Sequence, residues 1–436
     1  MVKTMVTVAI CGLGGRGGLC YANCQLKQGF DNMKVVAIAD LCEELVDEYR
    51  NKLGVPLQNC FSSAEELLSK EKLADCIIIA SMDKDHYAHT LKAIEKGYDV
   101  LLEKPISTHE SECEEIGLKA KEKGVHVRLC HVLRSTVYFR KLKELIESGV
   151  IGDVCGINHI ENVAFWHYAH SFVRGNWRNS VETSPIILQK CCHDADILTW
   201  LLQDKPETIS SLGELRYFKK ENAPKGSVSR CSKECAVYDS CPYNAEKYYL
   251  VDSFLNATEE KRKDNWMLRA ICRGEISEEK IRSGLKTGDF GKCVFNCENN
   301  VVDHQCVLIK YKKGTLATIT MSAFTQSCYR QTKIFGTLGE IEANDGDNLI
   351  KVRNFAKGTQ EIIDINELAD DFSGHNGGDA IMLKEFLARV EDRKNGIKDF
   401  DDGIDDDIIL SHKICFAAEK SRQQNGMPIN ICGEEK

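Results

Sequence analysis

The sequence predicts a two-domain α/β protein in which a doubly wound parallel sheet is followed by a domain built on a broad antiparallel sheet. Short apolar strands alternate with helical stretches over about the first 130 residues, and longer, partly alternating β runs follow from Val154 onward. At 436 residues the chain is also long for one domain. We therefore expect a first domain over residues 1–130 and a second over 131–436.

The composition excludes several classes of protein. The chain is 43% hydrophobic, which is enough for a buried core, but no apolar run approaches the roughly 18 residues of a membrane span. The net charge is −9, and no basic stripe suits a nucleic-acid partner. The first apolar run leads into a glycine motif and lacks a signal-peptide layout. We therefore expect a cytoplasmic protein whose 21 cysteines are reduced thiols by default.

The first motif is a glycine-rich turn between a strand and a helix. A β-prone run over residues 5–11 is followed by the spacing G-x-G-x-x-G and by a helix predicted over Gly18–Lys27. In this arrangement the glycines allow a tight turn, a close approach of a pyrophosphate to the backbone, and close packing of helix on strand. The alternative is a glycine-rich turn that binds no ligand. The expected cofactor contacts are Gly12, Gly14, Gly15, Arg16 and Gly17.

Asp40 predicts which dinucleotide binds. It follows a second strand, Val35–Ala39, and lies 23 residues beyond Gly17, close to the offset at which a carboxylate binds the adenosine ribose hydroxyls. Leu41 and Cys42 come next, so no arginine stands there to accept a 2′-phosphate. We therefore expect NAD rather than NADP.

The strand–helix alternation leads to a buried strand, Asp99–Leu102, which ends in Glu103, Lys104 and Pro105. Ligands bind outside the carboxyl ends of parallel strands. Glu103 is therefore expected beside the cofactor, and Lys104 is placed like a catalytic group whose pKa partial burial would lower toward neutrality. An ordinary surface lysine is the alternative. The intervening elements are expected at Glu43–Leu53 (helix), Ser63–Leu68 (helix), Asp75–Ala80 (strand) and Asp85–Lys96 (helix).

The loop after the Asp75–Ala80 strand adds three candidates. Ser81 and Met82 are expected to line the cofactor because they follow a parallel strand. His86 either lines the cofactor as well or only caps and packs its own helix.

These motifs together resemble the glucose–fructose oxidoreductase/inositol dehydrogenase family (Gfo/Idh/MocA). Further stretches resemble that family at Ile146–Gly152, Trp177–Arg178, His193–Asp196 and Phe335–Ile341. The resemblance implies a Rossmann domain and then an α/β domain with a large open, mostly antiparallel sheet. It also implies a pyridine nucleotide, a sugar or polyol substrate, Lys104 and His193 as proton-handling groups, and a Lys104–Pro105 bond that is often cis. We expect a homo-oligomer that associates through the open sheet.

Eight strands and two long helices are predicted in the second domain. The strands are expected near Val154–Ala164, Thr208–Phe218, His304–Tyr311, Leu316–Ala323, Gln331–Phe335, Gly339–Glu342, Leu349–Arg353 and Glu361–Ile365. The helices are expected over Gly377–Glu391 and Ile408–Gln424, with an acidic, solvated loop at 401–407 before the second.

The run from Trp166 to Asn179 contains two Trp, two His, two Arg and two Asn residues and a Tyr. Aromatic faces pack against the C–H groups of sugars, while His, Arg and Asn bind hydroxyls, so this run predicts a carbohydrate site. The alternative is a subunit interface rich in aromatic residues. A metal shared by His167 and His170 is discounted because no third ligand stands at helical spacing. The candidate substrate contacts are Trp166, His167, His170, Arg174, Trp177 and Arg178.

A second candidate stretch, Gln189–Asp196, contains His193 and leads into an apolar helix. Many relatives carry an aspartate at the position of Gln189. Glutamine cannot titrate, so their Asp–Lys proton relay is not available in its usual form, and Lys190 becomes an additional candidate base. Lys104 and His193 stay the expected pair. The further candidate substrate contacts are His131, Arg134, Lys190 and Asp194.

Residues 221–300 form an insertion with little apolar core of its own. Four thiolates in a tetrahedral cluster would fold such a segment around zinc, although the spacing is not that of a standard zinc ribbon. Free, packed cysteines are the alternative, and disulfides are disfavoured. The candidate ligands are Cys231, Cys235, Cys241 and Cys293, with Cys297 as a spare.

The sequence therefore predicts an NAD-dependent oxidoreductase that acts on a carbohydrate hydroxyl. The hydride would pass to the nicotinamide, and Lys104 would take the hydroxyl proton with His193 as a relay. Two alternatives remain open. Some relatives oxidise a sugar transiently, eliminate an aglycone and reduce again, which cleaves glycosides without net redox change. The other alternative is a non-catalytic NAD-binding regulator.

Overall fold

The first of two sheets in the computed structural model, which describes residues 4–263, 265–369, 371–397 and 402–431, is parallel throughout. Its strands are β1 (Val6–Cys11), β2 (Met33–Ala39), β3 (Cys60–Phe61), β4 (Cys76–Ile79), β5 (Asp99–Leu102) and β6 (Val127–Leu129). Their order is β3-β2-β1-β4-β5-β6, which is the order of a Rossmann dinucleotide-binding domain.

The second sheet is mixed. Its described strands are β7 (Val154–Val163), β8 (Pro206–Glu214), β9 (His304–Tyr311), β10 (Leu316–Ser322), β11 (Cys328–Gly336), β12 (Gly339–Asn344), β13 (Leu349–Asn354), β14 (Thr359–Asp364) and β15 (Ile429–Asn430). They lie in the order β14-β13-β12-β11-β7-β10-β9-β8-β15. β7 and β10 pair in parallel, and the other neighbours pair antiparallel. The predicted fold class and the eight predicted strands are confirmed.

Helices cover both faces of the first sheet and one face of the second. The described α-helices are α1 (Glu43–Leu53), α2 (Ala64–Ser69), α3 (His86–Glu95), α4 (Glu110–Lys123), α5 (Val137–Glu147), α6 (Phe165–Tyr168), α7 (Ile186–Gln189), α8 (Cys192–Leu202), α9 (Glu259–Lys263), α10 (Trp266–Cys272), α11 (Glu278–Thr287), α12 (Ser373–Asn376), α13 (Gly378–Lys394) and α14 (Asp406–Gln423). Wider π-helical segments occupy Gly15–Tyr21, Ala169–Arg174 and Glu246–Leu255. Tight 3-10 turns occupy Ala22–Leu26, Leu57–Asn59, Asp83–Asp85, Val132–Ser135, Lys220–Asn222, Asp289–Gly291 and Ile365–Glu367. None of the helices in the described ranges has the length and apolar composition that crossing a membrane requires.

Two local predictions differ from the structure. The regular helix predicted over Gly18–Lys27 is wrong, because the π-helical segment Gly15–Tyr21 and the 3-10 turn Ala22–Leu26 occupy that stretch. The amides of Gly18 and Leu19 both bond to the carbonyl of Gly14, which widens the first turn. β3 and β15 were not predicted, since strands of two residues are too short to show an alternating pattern. Of the acidic loop predicted at 401–407, residue 401 lies outside the described residues, and α14 begins at Asp406.

The end of the chain returns to the first sheet. α13 packs Met382 and Phe386 against the face that carries Val8, and α14 packs Ile408 against the opposite face. α14 also contributes Ile414 to the core of the second sheet. This helix therefore joins both cores and fixes the two sheets around a shared cleft.

One face of the second sheet is not covered by the described chain. Side chains alternate between buried and exposed along its strands, as in β9 and β10. The exposed apolar side chains of this sheet include Leu212, Leu308, Leu316, Phe335 and Ile362. Their counterparts on the other face form the core with α8 and α14.

Candidate active site

The glycine turn has the shape that a dinucleotide requires. Gly12 has φ of +91°, and a Cβ there would lie 2.3 Å from the carbonyl oxygen of Ala80. A Cβ on Gly17 would lie 1.8 Å from the carbonyl oxygen of Gly12, so this glycine permits the close packing of turn on strand. Nothing lies within 4 Å of a Cβ on Gly14, which leaves its backbone open to a pyrophosphate. The turn therefore fits the predicted cofactor.

Asp40 lies at the expected end of β2 and shapes the loops on both sides of it. Its Oδ2 accepts a hydrogen bond from the amide of Leu13 at 2.6 Å, and its Oδ1 accepts one from the amide of Cys42 at 2.8 Å. The carboxylate is half-buried beside the glycine turn. This position suits the ribose of a dinucleotide bound to that turn.

Arg16 contacts two carboxylates of the chain. Its Nε donates to Glu103 Oε1 at 2.6 Å, and its two terminal nitrogens donate to the carboxylate of Asp379 at 2.7 and 3.1 Å. Nη2 also donates to the hydroxyl of Tyr21 at 2.6 Å, and that hydroxyl donates to Glu103. Arg16 therefore ties the glycine turn to the end of β5 and to the start of α13. Sequence reasoning missed Tyr21 and Asp379, although the pair His375–Asp379 has the i, i+4 spacing of neighbours on a helix.

The loop after β4 braces the loop after β5. His86 is buried, with Nδ1 at 2.6 Å from the carbonyl oxygen of Pro105 and Nε2 at 3.1 Å from that of Ser81. The hydroxyl of Ser81 contacts His89 Nδ1 at 2.9 Å, while Met82 Sδ lies 3.8 Å from Asn176 Nδ2. His86 thus takes the packing alternative. Ser81 and Met82 follow β4 at the carboxyl edge of the sheet, and their contact with the cofactor stays a prediction.

Lys104 and His193 lie near one another at the carboxyl edge of the first sheet. The Lys104–Pro105 peptide bond is cis, and Lys104 Nζ donates to the carbonyl of Gln189 at 2.6 Å. His193 stands in the first turn of α8 with its side chain buried. Burial, and then the charge of Lys104, hold the pKa of His193 well below its usual value, so the ring is neutral at neutral pH. Within the described residues its Nδ1 has no hydrogen-bond partner.

A buried charge cluster lies beneath His193. Asp194 Oδ1 accepts hydrogen bonds from Arg330 Nε at 2.6 Å and from His159 Nε2 at 2.9 Å. Arg330 Nη2 lies 2.7 Å from Glu161 Oε2, and Lys190 Nζ lies 3.4 Å from Glu161 Oε1. Asp194 is fully buried, so it supports the site from below and does not reach the cleft. Sequence reasoning missed Glu161 and Arg330, which look like ordinary strand residues.

Burial and charge act in opposite directions on these carboxyls. Burial raises the pKa of Glu161 to about 7, against the attraction of Arg330. Burial also opposes ionisation of Asp194, but Arg330 and His159 outweigh it and hold the pKa of Asp194 well below its usual range. Burial lowers the pKa of Lys190, but the charge of Glu161 raises it by more, so the pKa of Lys190 lies above its usual value. Lys190 is therefore a protonated partner of Glu161 and a poor base.

His131 and Arg134 lie behind His193 and contact another carboxylate. The His131 ring lies 5.6 Å from that of His193, and its Nδ1 is 2.7 Å from Asp196 Oδ1. Arg134 donates to both oxygens of Asp196 and contacts Asp407 at 2.9 Å. The structure therefore gives Arg134 a supporting position in place of the predicted substrate contact.

The aromatic run divides into two groups. His167, with Nδ1 3.4 Å from Cys328 Sγ, and Trp177, which donates to Asp83 at 3.1 Å, lie beside the cleft. Burial and the charge of Lys190 lower the pKa of His167 well below its usual value. Trp166 stacks near Tyr248 with centroids 6.2 Å apart.

The other members of the run hold the insertion. His170 is buried and contacts the hydroxyl of Tyr249 at 2.9 Å, and buried Arg174 donates to the carbonyl of Tyr243 at 2.6 Å. Arg178 contacts Asp289 at 3.3 Å. These three predicted substrate contacts are engaged with the insertion instead, because it folds back over the run.

The insertion also covers the cofactor loops. A Cβ on Gly15 would lie 3.8 Å from Trp266 Cβ, and Arg269 pairs with Glu48 of α1 at 2.8 Å. The Sγ of Cys42 contacts the carbonyl oxygen of Arg273 at 3.4 Å. The insertion thus spans from the aromatic run to the glycine turn.

The candidate zinc ligands share one cavity of about 20 Å³, the room of a single water or ion. The thiols that line it are Cys231, Cys235, Cys241 and Cys293. Cys231 Sγ accepts from the amide of Ala245 at 3.4 Å. Among the described residues, however, no group of three or more His, Cys, Asp or Glu side chains is placed so that it could hold a metal ion. Every cysteine in the described ranges is a free thiol, and Cys432 lies outside them.

The fold and the cleft define a class of two-domain proteins in which a Rossmann domain is joined to an α/β domain with a large open sheet. The model described as "Oxidoreductase family, NAD-binding Rossmann fold" matches residues 6–131. The model described as "Oxidoreductase family, C-terminal alpha/beta domain" matches residues 143–407. The chain belongs to the Gfo/Idh/MocA oxidoreductase family.

Three proteins illustrate the similarity. The oxidoreductase YteT of Bacillus subtilis (strain 168) is 24% identical over 408 residues, which cover 88% of this chain and 89% of YteT. The 2,7-anhydro-N-acetylneuraminate hydratase of Escherichia coli (strain K12) is 27% identical over 42% of this chain and 46% of its own. A structure of scyllo-inositol dehydrogenase from Lactobacillus casei with NAD(H) and scyllo-inositol covers 99% of this chain and 100% of that chain, with a TM-score of 0.64 and 18% identity. That similarity shows a shared fold.

Proposed function

We propose that the protein is an NAD-dependent oxidoreductase that acts on a hydroxyl of a sugar, glycoside or polyol. The observation that supports this most is that Lys104 Nζ bonds to the carbonyl of Gln189, four residues before His193, at the edge of the sheet where the glycine turn lies. NAD, when bound, accepts a hydride from the carbon of the substrate. The chain itself has to bind the sugar and take the hydroxyl proton.

Lys104 is the proposed base for the hydroxyl proton. Its Nζ donates to the carbonyl of Gln189 at 2.6 Å. As a neutral amine it takes the hydroxyl proton and becomes an ammonium, and the neutral ring of His193 is the proposed relay that takes the proton onward. Gln189 offers only its backbone carbonyl here, so the aspartate relay of many relatives is replaced. Lys190 is excluded from this role by its ion pair with Glu161.

The preference for NAD over NADP rests on Asp40. Its carboxylate stands beside the glycine turn and repels a 2′-phosphate while accepting ribose hydroxyls. The substrate side is formed by His167, Trp177 and His193, whose aromatic and imidazole groups suit a polyhydroxylated ligand.

A redox-neutral cycle is the second candidate function. One relative is named a 2,7-anhydro-N-acetylneuraminate hydratase, a name that describes addition or loss of water without net oxidation. In such a cycle a sugar hydroxyl is oxidised, a C–O bond is broken, and the ketone is reduced again. A non-catalytic NAD-binding regulator is the third candidate, and it would bind a sugar without turnover.

The three candidates separate in one experiment. Inositols, anhydrosugars and p-nitrophenyl glycosides are incubated with the protein and NAD, and both NADH and released product are measured. Accumulation of NADH supports the dehydrogenase, and product without net NADH supports the redox-neutral cycle. Binding without either signal would contradict both catalytic proposals.

A structural zinc ion in the insertion remains a proposal. It is supported by the shared cavity of the four thiols and by the amide of Ala245 directed at Cys231 Sγ. The thiols would have to rotate to reach a common ion. Elemental analysis should then find about one zinc per chain, and removal by chelation should loosen the insertion. Metal-free protein with four titratable native thiols would leave them as packing residues.

The open face of the second sheet is proposed to bind a second copy of the chain. Its exposed apolar side chains, among them Leu308 and Leu316, lie on one side of the sheet. Light scattering should show an oligomer, and Leu316→Lys should lower the measured molar mass by weakening the association of its copies. A monomer at micromolar concentration would contradict this proposal.

A further inference from the structure

His375 enters the cleft from a segment with an unusual backbone. Gly374, His375, Asn376 and Gly377 have φ values of +42°, +44°, +52° and +81°. Residues with side chains rarely adopt this left-handed conformation, and two of these four have them. Such costly backbone persists where surrounding contacts hold it and is concentrated at functional sites. The contacts that hold His375 therefore indicate what the segment does.

Asp379 is the residue that orients His375. Its Oδ2 lies 3.0 Å from His375 Nδ1. Asp379 is buried in the first turn of α13, where the helix dipole favours its negative charge. A Cβ on Gly374 would lie 2.7 Å from Asp379 Oδ2, so only glycine allows this approach. Because Arg16 also donates to Asp379, the carboxylate stays ionised.

The imidazole of His375 faces the proposed catalytic pair. Its ring centroid lies 6.0 Å from that of His193, and the side chain is 37% exposed. With Nδ1 directed at Asp379, Nε2 is the nitrogen left for a ligand. The charged or titratable groups around this ring include Asp379, Arg16, His193, Lys190 and His167.

We propose that His375, oriented by Asp379, is a second catalytic base, which removes a proton from the carbon next to the ketone of a keto-sugar. The inference rests on the proposed carbohydrate substrate and deepens it. A carboxylate that holds one imidazole nitrogen keeps the other in the basic tautomer and stabilises the imidazolium that forms. Although the side chain is 37% exposed, desolvation in the cleft outweighs the attraction of Asp379 and lowers the pKa of His375 below its usual value, so the ring starts neutral at neutral pH.

The step balances without any oxidant or reductant. The C–H bond next to the ketone breaks, and its proton goes to His375 Nε2. The electron pair forms the C=C bond of an enolate, whose oxygen takes the proton of the Lys104 ammonium. The reverse step returns a proton to carbon. Oxidation of a hydroxyl needs no such second base, whereas loss of a neighbouring C–O bond does, so this geometry favours the redox-neutral cycle.

Deuterium exchange tests the step directly. The full-length protein with NAD⁺ is incubated with 1,5-anhydro-D-fructose, a keto-sugar, in D₂O, and the C–H signals beside the ketone are followed by proton NMR. We expect exchange above the protein-free rate, and a loss of about 10²-fold or more in H375Q, as is usual for a general base. The matched control is H109Q, because His109 is an exposed histidine at the N-cap of α4 and takes part in none of the cleft contacts described above. It should exchange like the unaltered protein.

A second readout does not depend on turnover. In ¹⁵N-histidine NMR of the free protein, His375 should carry its proton on Nδ1, and D379N should remove that preference. The signal is assigned as the one that H375Q lacks. Thermal unfolding of each variant confirms that it is folded.

The outcomes separate this inference from the proposed function. Exchange in H375Q at the unaltered rate, or no exchange by a protein that reduces the same ketone with NADH, would overturn the role of His375 and leave the oxidoreductase standing. A protein that neither reduces nor exchanges the ketone counts against both. A proton on Nε2 in the free protein would contradict the base role whichever substrate is used.

Discussion

The cofactor side and the substrate side of the cleft each centre on an arginine between two carboxylates, but they differ in burial. On the cofactor side Arg16 joins Glu103 to Asp379, and its side chain is 30% exposed. On the substrate side Arg330 joins Glu161 to Asp194. The side chain of Arg330 is 10% exposed, and those of Glu161 and Asp194 are 1% and 0% exposed. The first cluster links two parts of the chain at the rim. The second cluster is buried under His193, so its charges are stabilised by one another and not by solvent.

The largest expected effect follows from breaking the buried cluster. Arg330→Met leaves Glu161 and Asp194 buried without their main partner, and removal of one member of a buried pair typically costs about 3–5 kcal/mol. Urea unfolding should show a loss of that size. Arg16→Met is the matched variant, and its cost should be clearly smaller because water reaches the rim. Equal losses for the two variants would contradict the distinction between the clusters.

This comparison also shows what the sequence could predict. Gly12, Gly17, Asp40 and Lys104 belong to short stretches in which strand, turn and spacing define the role locally. Arg330 and Asp194, in contrast, are 136 residues apart, and Arg16 and Asp379 are 363 apart. A strand pattern shows which face a residue occupies but not which distant charge it meets.

The aromatic run shows a second limit of the sequence. His170 and Arg174 belong to residue types that bind sugars, and the same types also pack against an insertion. Their neighbours Tyr249 and Tyr243 lie about 70 residues further along the chain, at separations of 79 and 69. No local pattern separates the two roles, so the sequence could not show that these residues are engaged with the insertion.

Acid should weaken both clusters and also the neighbouring ion pair of Arg134 with Asp196. Asp194, Asp196 and Asp379 are buried, yet their ion pairs hold the pKa of each well below the usual value near 3.8. A carboxyl whose pKa is lower in the folded state gives stability that is present above about pH 3.8 and lost as the pH falls below it. A group of this kind typically contributes roughly 2–3 kcal/mol. Unfolding free energy measured from pH 6 to pH 2 should fall steeply below pH 4, and less steeply in Asp196→Asn.

Glu161 should change the free energy of unfolding with pH in the opposite direction. Burial raises its pKa from the usual 4.5 to about 7, so the folded protein binds this proton more tightly than the unfolded chain. Its contribution to stability should therefore fall as the pH rises from about 4.5 to 7. Glu161→Gln should flatten that part of the curve, and an unchanged slope would show that Arg330 keeps the carboxyl ionised throughout.

The smallest expected effect concerns the cofactor side. Asp40→Ala removes the proposed ribose contact and should weaken NAD binding about tenfold, equal to about 1.4 kcal/mol. The ratio of NAD affinity to NADP affinity should also fall. Calorimetry with both dinucleotides measures this. Asp31→Ala, at an exposed aspartate before β2, is the control. Unchanged affinity and selectivity in Asp40→Ala would remove the basis for assigning NAD.

The most direct test of the account is turnover of Lys104→Ala measured beside its affinity for NAD. With a sugar that the protein oxidises, kcat should fall by about 10²–10⁴-fold, as is usual when a general base is removed. The dissociation constant of NAD should stay within a few-fold, and Lys119→Ala, at an exposed lysine on α4, should match the unaltered protein in both measurements. A loss of kcat smaller than tenfold would contradict the assignment of Lys104 as the base that meets the substrate hydroxyl.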